Sequence, residues 1–287
     1  MSTAQSLIDD VRSRIVEANA DFFSDDTALL RWLNQGYRNF CAKTEYLEKI
    51  KAYRMIANQY EYDVPSDMQS IREIRWKDQW DVDGRDVGDF NRYVGMSDQL
   101  SDRPLHYKLF PSTTKIRLYP IPNAASASTT MNDAAGINTT DTSVILTDAS
   151  TFPSRGRVLI ESEQILYYAK SGNTLSQLVR GDGGTTAASH ADTTAVYYAP
   201  LEVSYSFMPI AMTTGGSAVD CQLPIEYDEA LISYACAIAF RSKDKYEIAG
   251  HYRDAYKQFL EMGDKAVAER QRDFYPHINE PWSCENM

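Results

Sequence analysis

Apolar positions recur at helical spacing toward both ends of this chain and alternate with polar ones in between. Leu7, Ile8, Val11 and Ile15 make one stripe, which predicts a helix from about Thr3 to Asn19, with Ser2 and Gln5 at the spacing of a capping box. A second helix is predicted after Ser24. Asp25 and Asp26 suit the positive end of its dipole, and Leu29, Leu30, Leu33, Tyr37 and Phe40 line its apolar face to about Thr44. The short connection folds these two helices into a hairpin. Near the other end, Leu223-Pro224 opens a third helix whose stripe of Leu231, Ala235, Ile238 and Ala239, flanked by Tyr234, Cys236 and Ala237, leaves little polar surface. Its small alanines permit close approach of a neighbouring helix. A fourth helix is predicted from about Tyr246 to Arg272, with Ala249, Tyr256, Phe259, Leu260 and Val267 on one side.

The centre of the chain reads as strands. Tyr53 to Val64 alternates until Pro65, Ile71, Ile74 and Trp76 continue the β character, and Leu105–Phe110 with Lys115–Tyr119 reads as a hairpin around Pro111-Ser112-Thr113. A short helix is expected over Asp86–Gly95. The runs Ile116–Pro120 and Leu201–Phe207 are expected to be neighbours in one sheet. Between them the composition changes: residues 123–200 are rich in Thr, Ser, Ala and Gly. Strands are predicted there at Val144–Leu146, Arg157–Ile160, Glu163–Tyr168, Thr174–Val179 and Val196–Tyr198, separated by turns at Ser150–Gly156 and Gly172-Asn173. A segment of this kind reads as a small β-barrel or sandwich inserted at an exposed loop tip. The expected fold class is therefore α+β, a helical bundle with a small β-sheet plus an inserted β domain. Residues 1–122 and 201–272 form the body, 123–200 the insertion, and 273–287 an extended C-terminal arm.

Composition narrows the function. Of 287 residues 43% are apolar, enough for genuine cores and against wholesale disorder. No apolar run approaches the roughly 18 residues needed to cross a bilayer, so no membrane is expected. The N-terminus lacks the basic patch and apolar stretch of a secretory signal, which places synthesis in the cytosol. A net charge of -11 argues against sequence-reading nucleic-acid binding, which needs clustered Lys and Arg. An acidic surface suits the passage of DNA better than a clamp on it. Cys41, Cys221, Cys236 and Cys284 show no metal-ligand spacing, and Cys41 and Cys236 fall on apolar helix faces.

The chemical motifs are weak. Asp81, Asp83 and Gly84 partly match a calcium loop, but Gln79 and Phe90 occupy the positions where Asp and Glu belong. His106, His190, His251 and His277 show no metal-ligand pairing with one another and read as surface or interface residues. Glu161 and Glu163 sit two apart on one strand; glycosidase chemistry needs two carboxylates across a cleft, and a solvated strand face is the expectation here. Arg180-Gly181-Asp182-Gly183-Gly184-Thr185-Thr186 lacks the Lys and helix of a P-loop, and its glycines suit a hairpin turn. No catalytic residue, cofactor site or metal site is expected.

Aromatic residues remain. Tyrosine occurs 19 times, and Phe274, Tyr275, Pro276, Ile278, Pro281 and Trp282 make a terminal segment that cannot be helical. This arm is expected to lie on a neighbouring subunit or partner. Three passages resemble the head-to-tail adaptor (connector) proteins of tailed bacteriophages: Thr27 to Tyr37; Tyr62-Asp63-Val64-Pro65-Ser66-Asp67-Met68 leading to Ile71-Arg72-Glu73-Ile74; and Ile116–Pro120 continued at Leu201–Tyr205 and Leu223–Leu231. Phe152-Pro153 to Gly156, Glu161–Tyr168, Leu178–Gly181 and Thr185–His190 resemble a small β module of phage tail and virion proteins. The resemblance implies a homo-oligomeric ring of twelve copies in the virion neck, below the portal protein. The C-terminal arm would engage the portal, tail or nozzle proteins would attach beneath, and double-stranded DNA would pass through without sequence-specific contact. Two other readings predict different features: a tail-fibre adhesin with the β module as binder needs long β repeats, and a virion glycan hydrolase needs a cleft with two carboxylates.

Overall fold

The computed structural model describes residues 2–15, 26–77, 80–84, 100–110, 114–216 and 218–274. The chain divides into two units, one made of Met1–Leu47 with Phe207–Met287 and the other of Glu48–Ser206.

The first unit is helical. Its described helices are α1 (Ala4–Arg14), α2 (Thr27–Thr44), α3 (Asp228–Ser242) and α4 (Tyr246–Phe274), preceded at α3 by a 3-10 turn over Ile225–Tyr227. The expected stripe of α1 is buried in full: Leu7, Ile8, Val11 and Ile15. Its cap lies one residue later than expected. Thr3 Oγ1 accepts the Ser6 N–H at 3.1 Å, while Ser2 donates its hydroxyl to Asp228 and its carbonyl accepts the Cys221 N–H. A carboxylate at the start of α3 thus draws Ser2 away from the capping role; burial raises the Asp228 carboxyl, and the Ser2 hydrogen bond partly offsets that. The described part of α1 stops at Arg14, short of Asn19, and Arg14 clasps Glu229 in the first turn of α3 with both ends of its guanidinium.

Helix α2 buries Leu29, Leu33, Tyr37 and Phe40 as expected, but Trp32 rather than Leu30 completes the face. Close helix approach depends on glycine as well as the expected alanines. A Cβ on Gly36 would lie 2.9 Å from Tyr234 Cδ1 of α3, and one on Gly263 of α4 would lie 2.9 Å from both Phe40 Cζ and Thr44 Cγ2 of α2. Helix α3 is buried on most sides through Ala230, Leu231, Ile232, Ala235, Cys236, Ala239 and Phe240. Ala249, Tyr256, Gly263 and Val267, at intervals of two turns and one, form the inward line of α4.

The second unit holds the strands. One four-stranded sheet has the order Glu48–Tyr53, Leu201–Phe207, Met68–Trp76, Trp80–Asp81; another has Glu61–Asp63, Lys115–Tyr119, His106–Phe110, Asp83–Gly84. Leu100–Ser101 and Ile121–Pro122 form a parallel pair. The expected hairpin is present, with His106–Phe110 antiparallel to Lys115–Tyr119. The expected pairing of the 116–120 and 201–207 runs is not. Each already has two other neighbours, so they lie in separate sheets and meet only through side chains: Ile116, Leu118, Leu201 and Val203 share one core with Tyr62, Ile74 and Trp76. The single alternating stretch from Tyr53 to Val64 is likewise two strands joined by a loop over 54–60. The helix expected over Asp86–Gly95 lies outside the described residues.

Residues 128–198 form a six-stranded antiparallel sheet in the order Ser128–Thr130, Ala195–Tyr198, Gly156–Ile160, Glu163–Ser171, Thr174–Val179, Ser143–Ile145. The sheet curls so far that its outer strands meet: Met131 bridges Leu146, the Asn132 N–H donates to the Ile145 carbonyl, and the Thr147 N–H donates to that of Thr130. Inside lie Val144, Leu146, Phe152, Val158, Ile160, Ile165, Tyr167, Leu175, Leu178 and Val196. Val158 and Ile160, and Ile165 and Tyr167, fall two apart as alternation requires, whereas Leu175 and Leu178 fall three apart, with Gln177 between them at φ of 56°. The fold is thus α+β, with a curled half-barrel sheet among its strands.

Candidate functional site

Two clusters of buried polar residues hold the chemistry that the sequence singled out, and in both it is spent on structure. The first surrounds Glu163. Glu161, in the tight turn after strand Gly156–Ile160 with φ of 53°, keeps its carboxylate 64% exposed, whereas that of Glu163 is 0% exposed. The expected solvated strand face is therefore wrong for Glu163. Arg180 grips its carboxylate through Nε and Nη2, both at 2.8 Å; the N–H groups of Gly181 and Ala188 donate to it at 2.9 and 3.1 Å; and His190 Nε2 lies at 2.7 Å. Burial alone would raise this carboxyl, but the hydrogen bonds from Arg180, Ala188, His190 and Gly181 outweigh it and hold the group at about 2. The other ring nitrogen of His190 lies 2.9 Å from Glu161. His190, expected at a surface or an interface, is itself buried within the chain. With an imidazole lodged between the two carboxylates, and one of them pinned as the anion, neither the gap nor the proton donor of a glycosidase is present.

The tripeptide Arg180-Gly181-Asp182 is internal. Arg180 serves Glu163 and the carbonyls of Asn138 and Ala188, and Asp182 pairs with Arg157 at 2.7 Å. Gly181, Gly183 and Gly184 take positive φ, the turn role that the sequence indicates for them.

The second cluster joins that turn to a strand edge. The Gln164 carboxamide is fully buried; its Oε1 accepts the Ala52 N–H at 2.8 Å, and its Nε2 donates to the Ile50 carbonyl at 3.0 Å and to Asp182 at 2.7 Å. Arg157 bridges Asp182 and Glu202, the latter at 2.6 Å, with all three side chains largely buried. Gly183 sits so close to strand Glu48–Tyr53 that a Cβ would fall 2.2 Å from the Ile50 carbonyl oxygen. Sequence reasoning passed over Arg157, Gln164 and Glu202. Alternation puts them on convex or outer positions, which ordinarily means solvent.

The remaining candidates sort simply. Asp81 and Asp83 lie in separate short strands, and no group of His, Cys, Asp or Glu able to hold a metal occurs among the described residues. Cys41 and Cys236 are buried, as is Cys221, and burial raises their thiols to about 12, 12 and 11. His251 is exposed on α4. No helix among the described residues is long and apolar enough to cross a membrane. The helix runs two residues past its expected end at Arg272, so Asp273 and Phe274 are helical and not part of an extended arm; Tyr275, Pro276, Ile278, Pro281 and Trp282, with His277 and Cys284, lie outside the described residues. The root of the arm is anchored. Arg270 donates to the Tyr46 carbonyl at 3.2 Å and lies 4.1 Å over the Tyr46 ring, which packs with Phe40 and Tyr227.

Both polar networks tie strands and turns to one another. The sequence profile of the SU10 adaptor protein family matches residues 2–278. The chain belongs to that family. An SU10 adaptor is a structural bacteriophage protein and a virion component, and the match spans both the helical and the strand-bearing unit. Among curated proteins none matches.

Proposed function

We propose that this SU10 adaptor assembles as a ring of twelve copies below the portal protein, extends the DNA channel and presents the platform to which the tail attaches. The observation that carries the reading is the family match across nearly the whole chain. The helices would form the ring body, and residues 273–287, with Phe274, Tyr275, Pro276, Ile278, Pro281 and Trp282, would grip the portal or a neighbouring copy. Many weak aromatic contacts repeated by ring symmetry reach high avidity without any single strong one. The charge of -11 supports a lumen along which DNA slides without sticking. Residues 123–200 are read as a β module inserted into the body and carried as a fixture for a tail or neck component. Their own core supports that reading.

Sedimentation of the purified protein with and without its portal tests the proposal. A large complex should form with the portal, and truncation after Asp273 should weaken it at least about tenfold, the loss of a few buried aromatic anchors. A truncated chain that binds and assembles like the intact one would refute the role given to the arm, and a protein that stays monomeric alongside the portal would refute the ring.

A further inference from the structure

An inserted domain ordinarily hangs on two linkers and moves on them, because interfaces between domains tend to be small and polar. Residues 123–200 are held differently. The Gln164 carboxamide gives one donor to Ile50 and one acceptor to Ala52, the two groups that a further strand would supply to the outer edge of Glu48–Tyr53. It does this while fully buried, and its second N–H is taken by Asp182. Ala52 in turn pairs across the sheet with Glu202, the residue that Arg157 reaches from the curled sheet. Gly183 lets the turn close on Ile50, which no side chain would permit. Both crossings are also tied down. Met55 and Ser126 exchange hydrogen bonds at 2.7 and 3.0 Å, the Asn58 N–H donates to Pro122, and the Lys77 N–H donates to Pro200.

We infer that Gln164 is a latch, and that through it and the Arg157–Asp182–Glu202 bridge the curled sheet and strand Glu48–Tyr53 open and move as one rigid body. The inference rests on reading 123–200 as an inserted module, and it is independent of the ring. Its consequence is mechanical: a load applied to the curled sheet passes directly into the strand pair Glu48–Tyr53 and Leu201–Phe207 and is not absorbed by a hinge. A buried charge pair and a buried amide, each fully partnered, are costly to separate and specify a single arrangement.

Amide hydrogen exchange on the intact, unassembled chain tests this. In the wild type, the Ala52 amide should exchange as slowly as those of Val158 and Ile165 inside the curled sheet, to within about threefold, because the three are exposed only by one shared opening. Ala52 exchanging much faster than the other two would overturn the inference without any variant. In Gln164→Leu, which keeps the volume but removes both hydrogen bonds, Ala52 should exchange at least about tenfold faster while Val158 and Ile165 keep their wild-type rates. An unchanged Ala52 rate in that variant would also overturn it. Neither failure would touch portal binding, so the latch and the ring reading stand or fall separately.

Discussion

At the scale of single residues, buried charge is the feature that alternation misreads. Glu163 follows a turn on a strand whose pattern is otherwise apolar-in and polar-out, and nothing local announces that Arg180, Gly181, Ala188 and His190 converge on it. Those partners come from 17 to 27 residues downstream. Arg157 and Glu202 are invisible for the same reason, since each finds its counter-charge far along the chain. The anion at Glu163 carries a pH signature. Its carboxyl titrates at about 2 in the folded chain against 4.5 when free, so its contribution is complete above about pH 4.5 and drains away as pH falls toward 2. The shift corresponds to at most about 3 kcal/mol. Glu163→Gln should therefore cost stability at pH 7 and flatten the acid limb of the stability curve between pH 4.5 and 2, which urea titrations at a series of pH values would read. An acid limb as steep as the wild type's would show that Glu163 is not the group responsible.

Gly36 gives a second residue-scale prediction. Alanine normally strengthens a helix by up to about 1 kcal/mol over glycine. Here the new methyl would meet Tyr234 at Cδ1, Cβ and Cγ, within 2.9–3.0 Å. Atoms that near the backbone cannot turn aside without a change of rotamer, and overpacking of this kind costs about 1–3 kcal/mol. Gly36→Ala should thus lower the melting temperature, and a rise would mean that α2 and α3 separate easily.

At the scale of elements, periodicity served well where one face decides the outcome. The stripe of α1 and the strands at 156–160, 163–171 and 174–179 lie where helical spacing or apolar patterning puts them, because each buries an apolar face. Partner choice was not legible. Lys115–Tyr119 and Leu201–Phe207 look like neighbours by position in the chain, yet hydrogen-bonding edges are filled by whichever strands fold against them, and both edges of each were taken by others. The long helix α4 shows a comparable non-local dependence. Val267 is the last buried apolar residue among its described side chains, and three residues on, Arg270 lies over Tyr46. Arg270→Ala should remove about 0.5–1 kcal/mol and raise amide exchange in the last two turns of α4 while leaving its centre, around Tyr256, unchanged. Uniform exchange along the helix in that variant would rule out a local clasp.

At the scale of the whole molecule, family membership and the curled sheet bear on how copies coexist. The class of the protein was legible from three dispersed passages and their order, and residues 2–278 match one family accordingly. The role proposed for the arm, by contrast, depends on a partner, and a single chain does not test it. The curled sheet adds a constraint of its own. Its two border strands are joined to each other at Met131 and Leu146, so that stretch of their edges is not open to pairing with a second copy. Along that stretch the backbone groups are already taken, and a neighbouring molecule would meet side chains there. Substitutions on the outward side chains of this stretch should therefore leave the seam itself intact.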